Sequence, residues 1–577
     1  MRTWRSFSVL AVVMLVVAAC GQQGGASETA EETEPAGSQP AATDGGTGGL
    51  TAYPDEPAEC GAAEDDTHAA YTGNIEQIRA EDDMTVVFDL CNPDVAFLSK
   101  IAFASVAIND SAYLEANVED GTIVEQPNGT GPYSLENWAR GSEITLAANP
   151  DYWGEAPLSS SVVFRWSAEA AQRLVELQGG TVDGIDNPGP DDFETIENDP
   201  AFQLLPREGL NTFYVGFNNT FDPWGDPEVR QALAMGIDRQ AIVDAYYPPG
   251  SEVASHFTPC AIAFGCEGDE WYEYDPDAAR AILEPMGITT TIQFRDVVRG
   301  YLPLPTQVAT EIQAQLADLG VTAELEPIES TAFIDASNAG ELDGIFLLGW
   351  GADYPDATNF LDYHFGTGGV PSFGEKFDAI TGPLATGGSS VEDADRAAAY
   401  AEANNAIKEN VPMVPIAHGG SGVAFQASNT GAHASPLGNE SMAAIAPGDL
   451  TPDQLVWMQN GEPGGLYCAD ESDGESLRVC EQVMESLYAY EVGATAAIPA
   501  LATECVPNDA LDEWTCTLRD GVTFHDGSTL DAGDVILSYA VQWDAEHPLH
   551  IGRTGEFVYF PALFGGLLNP PIPEPES

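Results

Sequence analysis

The chain has 577 residues, room for several domains at ~150 residues each, and its 44% hydrophobic and 19% charged residues are a globular composition. Acidic residues outnumber basic ones by 92 to 19, for a formal charge of −73. That argues against nucleic acid, whose counterion-releasing contacts need Lys and Arg, and against docking on anionic lipid through a polybasic patch. The acidity is spread along the chain, as in a solvated, self-repelling surface.

Arg2 and Arg5 precede an apolar run from Phe7 to Ala19. These are the two parts of an export signal, and the run is too short to span a bilayer. It ends at Val17-Ala18-Ala19-Cys20-Gly21, which resembles a bacterial lipobox. The resemblance implies a signal over residues 1–20 and a lipidated Cys20, holding the protein to the cell membrane on its outer side. The alternative is an ordinary signal with an incidental cysteine. Residues 21–55 are rich in Gly, Ser, Thr, Ala, Pro and Glu, which predicts a disordered tether.

Met84, Val86, Phe88 and Leu90 alternate with Thr85, Val87 and Asp89, the period of a strand. Asn128-Gly129-Thr130-Gly131-Pro132-Tyr133 reads as a tight turn, Ile144 to Ala148 as a strand, and Tyr152 and Trp153 as core aromatics. Ala168 to Leu177 is an amphipathic helix stopped by Gly179-Gly180. Thr212 to Phe217 is a strand. Asp226 caps a helix with Pro227 at its first position and Val229, Leu233 and Ile237 on one face. Arg295 to Pro305 is a loop, and Val308, Ile312, Leu316 and Leu319 space a helix that stops at Gly320. Ile345 to Leu348 is an apolar run of buried-strand length, broken after Gly349 by turn residues. Trp350 and Asp353 thus leave the end of an inner strand, where open α/β sheets gather ligands. Ser390 is expected to cap a helix through Asn410, Leu455 to Met458 to form a strand, and Val483 to Tyr490 a helix.

Three stretches carry a family resemblance. Gly349-Trp350-Gly351-Ala352-Asp353-Tyr354-Pro355-Asp356-Ala357-Thr358-Asn359-Phe360 resembles the W-x-x-D-Y-x-D-P-x-x-F signature of family 5 solute-binding proteins, the peptide, dipeptide and nickel receptors of ABC importers. Gly129 to Tyr133 with Asn149 to Gly154, and Asp226 to Arg239, resemble further markers of the same family. The resemblance implies an α/β fold of the periplasmic-binding-protein-like type II, two lobes with a hinge plus an extra small α/β domain. It implies a receptor that closes on a solute and hands it to the permease subunits of an ABC transporter, acting as a monomer without a cofactor. In the peptide receptors the residue matching Asp353 pairs with the ligand's α-amino group. In the dipeptide branch an Arg matching Arg299, 54 residues before Asp353, holds the carboxylate, which suits the planar fork of a guanidinium. Trp350, Tyr301, Asn359 and the backbone from Glu462 to Tyr467 are the further pocket candidates. Two plainer readings stay open: Asp353 as a turn cap, and Arg299 in a salt bridge with Asp296. Receptors of this family for oligosaccharides and other non-peptide solutes would leave Asp353 structural.

The order of the motifs departs from the family. Its usual opening segments lie at the far end of this chain: Glu462-Pro463-Gly464-Gly465-Leu466, then Leu518-Arg519-Asp520-Gly521-Val522-Thr523-Phe524-His525-Asp526-Gly527, with Ala532, Asp534 and Val535. Either a truncated second receptor is fused in tandem, or the chain is circularly permuted. No segment occurs twice and a truncated copy would bury no complete core, which favours permutation with a join near 448–454. The expected parts are then the small domain over 56–126 and 485–577, lobe I over 127–216 and 425–484, and lobe II over 217–424.

Eight cysteines follow Cys20: Cys60, Cys91, Cys260, Cys266, Cys468, Cys480, Cys505 and Cys516. An even number in an exported chain suggests disulfides, and of 105 connectivities the nearest-neighbour pairing 60–91, 260–266, 468–480 and 505–516 is expected. Paired Cys/His spacing for zinc is absent, so no metal is expected. His418-Gly419-Gly420-Ser421-Gly422 fails the G-x-S-x-G pattern at Val423, no H-E-x-x-H occurs, and His525-Asp526 reads as turn chemistry. A binding protein is expected rather than an enzyme, with a secreted lipoprotein hydrolase as the outlying alternative.

Overall fold

The computed structural model describes residues 50–63, 67–189, 192–297, 299–367, 369–450 and 453–572. Cys20, the signal and most of the expected tether lie outside the described residues. The described chain builds three main sheets. The first holds seven strands in the order Tyr133–Ala139, Glu143–Ala148, Ser161–Trp166, Gln454–Gln459, Gly184–Asp186, Ser421–Gln426 and Phe202–Arg207. The second holds six: Glu252–Val253, Met413–His418, Asn211–Gly216, Ile345–Gly351, Thr289–Phe294 and Thr322–Pro327. The third is smaller: Ala52–Tyr53, Ile75–Asp82, Thr85–Leu90, Glu513–Leu518 and Ala502–Pro507. Helices cover these sheets, giving the expected mixed α/β architecture of two lobes and a smaller third layer.

Each sheet buries the apolar residues that its sequence period supplies. Phe213, Val215, Ile345 and Phe346 fill the second sheet's core with the helix Pro305–Asp318, whose Val308, Ile312 and Leu316 face inward. Phe425 and Trp457 pack at 5.2 Å in the first. Phe88 meets Phe97 and Tyr539, each at 5.1 Å, in the third. Asp226 accepts from the Glu228 amide and opens the helix Pro227–Gly236, and Gly320 takes a φ of +84° after Pro305–Asp318, as turn chemistry requires.

Early and late segments of the chain share two of these cores. Gln454–Gln459 lies between Ser161–Trp166 and Gly184–Asp186, parallel to both. Glu513–Leu518 pairs antiparallel with Thr85–Leu90. Residues 69–74 run beside 564–570: Ala69 N donates to Pro570 O at 3.0 Å and Asn74 N to Phe564 O at 2.6 Å. His525 holds the turn of the distant glycine motif, accepting from Gly129 N at 3.3 Å and bonding Gly131 O at 3.1 Å. Glu485 accepts from Thr130, Tyr152 and Trp153 at 2.8, 2.9 and 2.8 Å, which ties both sequence markers to one carboxylate. The disulfides are Cys60–Cys91, Cys260–Cys266, Cys468–Cys480 and Cys505–Cys516.

Several expected boundaries move. The lobes are joined at 208–210 and at 419–420, earlier than the expected crossings near Phe217 and Ala424. The strand Asn211–Gly216 already pairs with Ile345–Gly351 in the second sheet, while Ser421–Gln426 already pairs with Phe202–Arg207 in the first. The expected tether to residue 55 overlaps order, because Ala52 and Tyr53 pair with Arg79 and Ile78. Ser390 does not cap the long helix. Its hydroxyl donates back to Thr386 O, and Glu392 stands at the start of Asp393–Asn410. The helix expected from Val483 instead ends there, as Gly474–Val483, started by Asp473 accepting from Ser476 N. Tyr488–Tyr490 is a short strand paired with Ala497–Pro499.

Candidate ligand-binding cleft

A cavity of about 770 Å³ lies between the two larger sheets, a size typical of small-molecule sites. Its edge holds both lobe crossings. There Asn211 Nδ2 donates to Gly419 O and Asn211 Oδ1 accepts from Gly419 N, both at 2.8 Å. A Cβ on Gly209 would stand 2.1 Å from Gly419 O, so only glycine lets the two crossings approach so closely.

The strand Ile345–Gly351 delivers the signature loop to this cavity, and each of its polar residues does a separate task. Asp353 and Trp350 line the cavity. Asn359, expected as a ligand contact, is 5% exposed and does not line it. Its amide is consumed behind the wall: Oδ1 accepts from Trp350 Nε1 at 3.0 Å and from Asp353 N at 3.1 Å, and Nδ2 donates to Asp353 Oδ2 at 3.1 Å. Asn359 therefore positions the two residues that face the ligand space. Asp356 caps the helix Ala357–Phe365 and takes Arg396 at 3.1 and 3.0 Å. Tyr354 leaves the second lobe and packs into the small domain's core, with Lys100 at 5.1 Å from its ring.

Asp353 forms no ion pair among the described residues. Burial raises its pKa, and the Asn359 hydrogen bond pulls the other way. Trp350 stacks on Tyr363 at 4.2 Å and 26°. Tyr559 stands on the cavity wall supplied by the late segment; burial, then the charge of Asp353, push its hydroxyl up to about 12. The site thus offers a half-buried carboxylate among aromatic faces, suited to an ammonium group.

Arg299 and Tyr301 also line the cavity. Arg299 and Leu302 exchange backbone hydrogen bonds of 3.2 and 3.0 Å, closing the loop that presents both side chains. Tyr301 receives Arg295 Nη2 at 3.0 Å and lies over Gly349, where a Cβ would meet the ring at 2.3 Å. The expected backbone from Glu462 to Tyr467 does not line the cavity. It turns away to Arg140, which donates to Pro463 O, and to Val124 O, which accepts from Leu466 N.

The lobe I wall carries residues that no motif announced. Arg207 pairs with Asp186 at 3.0 Å and with Glu440; Arg478 pairs with Asp186 at 3.1 Å and Glu440 at 3.3 Å. Burial alone would raise the Glu440 carboxyl, but the two arginines outweigh it and hold it at about 2. These four residues are scattered along the sequence, and no spacing rule joins them. His418 is buried, held neutral by burial with its pKa at about 4, and bonded to Asn211 O at 2.7 Å. The cluster of His256, Cys260 and Cys266 has both thiols committed to a disulfide. No described helix is long and apolar enough to cross a membrane.

The model of the family described as bacterial extracellular solute-binding proteins, family 5 Middle, matches residues 42–372 and 496–555, well over half of the chain. Di/tripeptide-binding protein 1 of Pseudomonas aeruginosa is 30% identical over 356 residues, 60% of this chain and 66% of the relative's own length. Among solved structures, HbpA2 from Haemophilus parasuis is 30% identical with a TM-score of 0.59, over 63% of this chain and 74% of that one. The binding protein DppA from Helicobacter pylori, in complex with the peptide STSA, is 26% identical with a TM-score of 0.51, over 62% of this chain and 71% of that one.

Proposed function

Since the chain belongs to the family 5 bacterial extracellular solute-binding proteins, transport receptors rather than enzymes, we propose that it captures a short peptide between its lobes. Hinge closure about the crossings at 208–210 and 419–420 would then present the closed form to the permease of an ABC importer. The observation that carries this is Asp353: a half-buried carboxylate, oriented by Asn359 and facing the cavity with no cation among the described residues. A peptide's α-ammonium supplies that cation, and Arg299 its carboxylate's partner; both contacts strengthen as closure removes water. The relatives' peptide-binding names support the reading. Lipidation at Cys20 would hold the receptor, as a monomer, on the outer face of the cell membrane.

A thermal-shift comparison of free di- to pentapeptides with their N-acetylated forms tests the ligand class. A ligand at a hundred times its Kd adds about 2.7 kcal/mol to stability. Free peptides should raise the midpoint, acetylated ones should not, and Asp353→Asn should abolish the shift. Equal shifts from acetylated peptides, or shifts from sugars alone, overturn it.

The order of segments is, in the same reading, a circular permutation. Its support is that early and late strands complete single sheets, and that residues 67–74 run beside 564–571. A gene that places residues 453–572 ahead of 67–450 through a short linker should give a protein of unchanged ligand-induced shift. An insoluble or non-binding product would speak for two separate modules.

A further inference from the structure

The cleft shares a wall with a second cavity of about 510 Å³, and Asn439, Glu481 and Tyr490 line both. Away from that wall the second cavity mixes apolar residues such as Ala102, Met484 and Ile498 with Glu155, Gln482 and Glu485. Glu481 lies on the helix Gly474–Val483, one turn beyond Arg478. Arg478 does not neutralise it, being committed to Asp186 and Glu440. Glu481 accepts a hydrogen bond from Asn439 Nδ2 at 3.2 Å and forms no ion pair among the described residues. Burial pushes its pKa up to about 8, while the Asn439 hydrogen bond and the charge of Arg478 pull the other way.

The charges of the cleft can be sorted by use. Arg207 and Arg478 are matched by Asp186 and Glu440, and in the peptide reading Asp353 and Arg299 take the ligand's two termini. Of the other charges on the two linings, Arg295 donates to the Tyr301 hydroxyl, Glu485 is held by Thr130, Tyr152 and Trp153, and Glu208 and Glu155 are exposed. Glu475 and Glu481 are left, and of these only Glu481 stands on the wall that the two cavities share. We propose that Glu481 is a specificity residue: it pairs, at the wall the two cavities share, with the cationic tip of a bound peptide's side chain, whose methylene stem crosses the cleft to reach it. The preferred ligands are then short peptides carrying lysine or arginine. A long amphipathic side chain fits such a site, apolar along its stem and charged at its tip, and its cation supplies a partner for the half-buried Glu481 carboxylate.

This inference rests on the peptide reading, and titration calorimetry on the full protein separates the two. Each peptide is compared as a lysine form and a norleucine form, which differ only in the terminal ammonium. The lysine form should bind at least about tenfold tighter, ~1.4 kcal/mol. Glu481→Gln should bring the two affinities together. Equal binding of the two forms by the unsubstituted protein overturns the role of Glu481 while leaving the peptide reading intact, and needs no variant to fold. So does a lysine preference that survives Glu481→Gln. No binding of either form overturns both.

Discussion

Two sets of carboxylates on the walls of the cleft stand in opposite circumstances. On the lobe I wall, Asp186 and Glu440 are met by Arg207 and Arg478 in a closed set of four. On the lobe II wall, Asp353 is met among the described residues only by the neutral amide of Asn359. Both arrangements satisfy hydrogen bonds, but only the first satisfies charge. A carboxylate whose counterion comes from the chain belongs to the fold; in the peptide reading Asp353, which faces the cavity, takes its cation from the ligand.

Breaking the closed set should have the largest effect. Arg478→Leu leaves Asp186 and Glu440 sharing one arginine in a buried site, and a broken buried pair costs about 3–5 kcal/mol. Urea unfolding should show that loss. A loss below ~1 kcal/mol would mean that water reaches the set and that the contrast between the walls is false. Asn359→Leu tests the other wall. It leaves Trp350 Nε1 and the Asp353 amide without their acceptor, at about 1–3 kcal/mol for a buried polar group left unpaired. Peptide affinity should fall with it, because Asp353 and Trp350 lose their common anchor. An unchanged Kd would show that Asp353 holds its orientation without Asn359.

The contrast also explains what the sequence made legible. Asp353 and Trp350 could be found because one short loop carries several tasks in fixed order: the strand end, the cavity carboxylate, the helix cap at Asp356. Local chemistry enforces such a spacing, and it can be recognised. Asn359 was in reach as a residue but not in role, since only the fold reveals that its amide is spent behind the wall. The lobe I set had no such signal. Asp186, Arg207, Glu440 and Arg478 come together through sheet order and a helix, and acids and arginines are ordinary anywhere on a surface. The crossings were misplaced for a similar reason. A strand run such as Asn211–Gly216 reads the same in either sheet, and pairing alone assigns it. The sharing of cores between early and late segments followed from motif order, but the pairing of Thr85–Leu90 with Glu513–Leu518 did not.

The smallest effect is the most discriminating, because it should differ in sign between the walls. The folded pKa of Glu440, about 2, lies below an ordinary glutamate's ~4.3. Its contribution is fully present above ~4.3 and is lost as pH falls toward 2. The folded pKa of Asp353 is raised by burial above the ordinary ~3.9. Its contribution is fully present below that ordinary value and is lost as pH rises through the raised one, because the unliganded site then holds an unpaired charge. Unfolding curves from pH 2 to 7 should therefore diverge. Relative to the unsubstituted protein, Glu440→Gln should be most destabilised at neutral pH and converge on it in acid. Asp353→Asn should gain relative stability as pH rises, and that gain should vanish when a free peptide is added, since the ligand's ammonium removes the cost that the asparagine avoids. Parallel curves for the two variants would show that the two carboxylates are held alike.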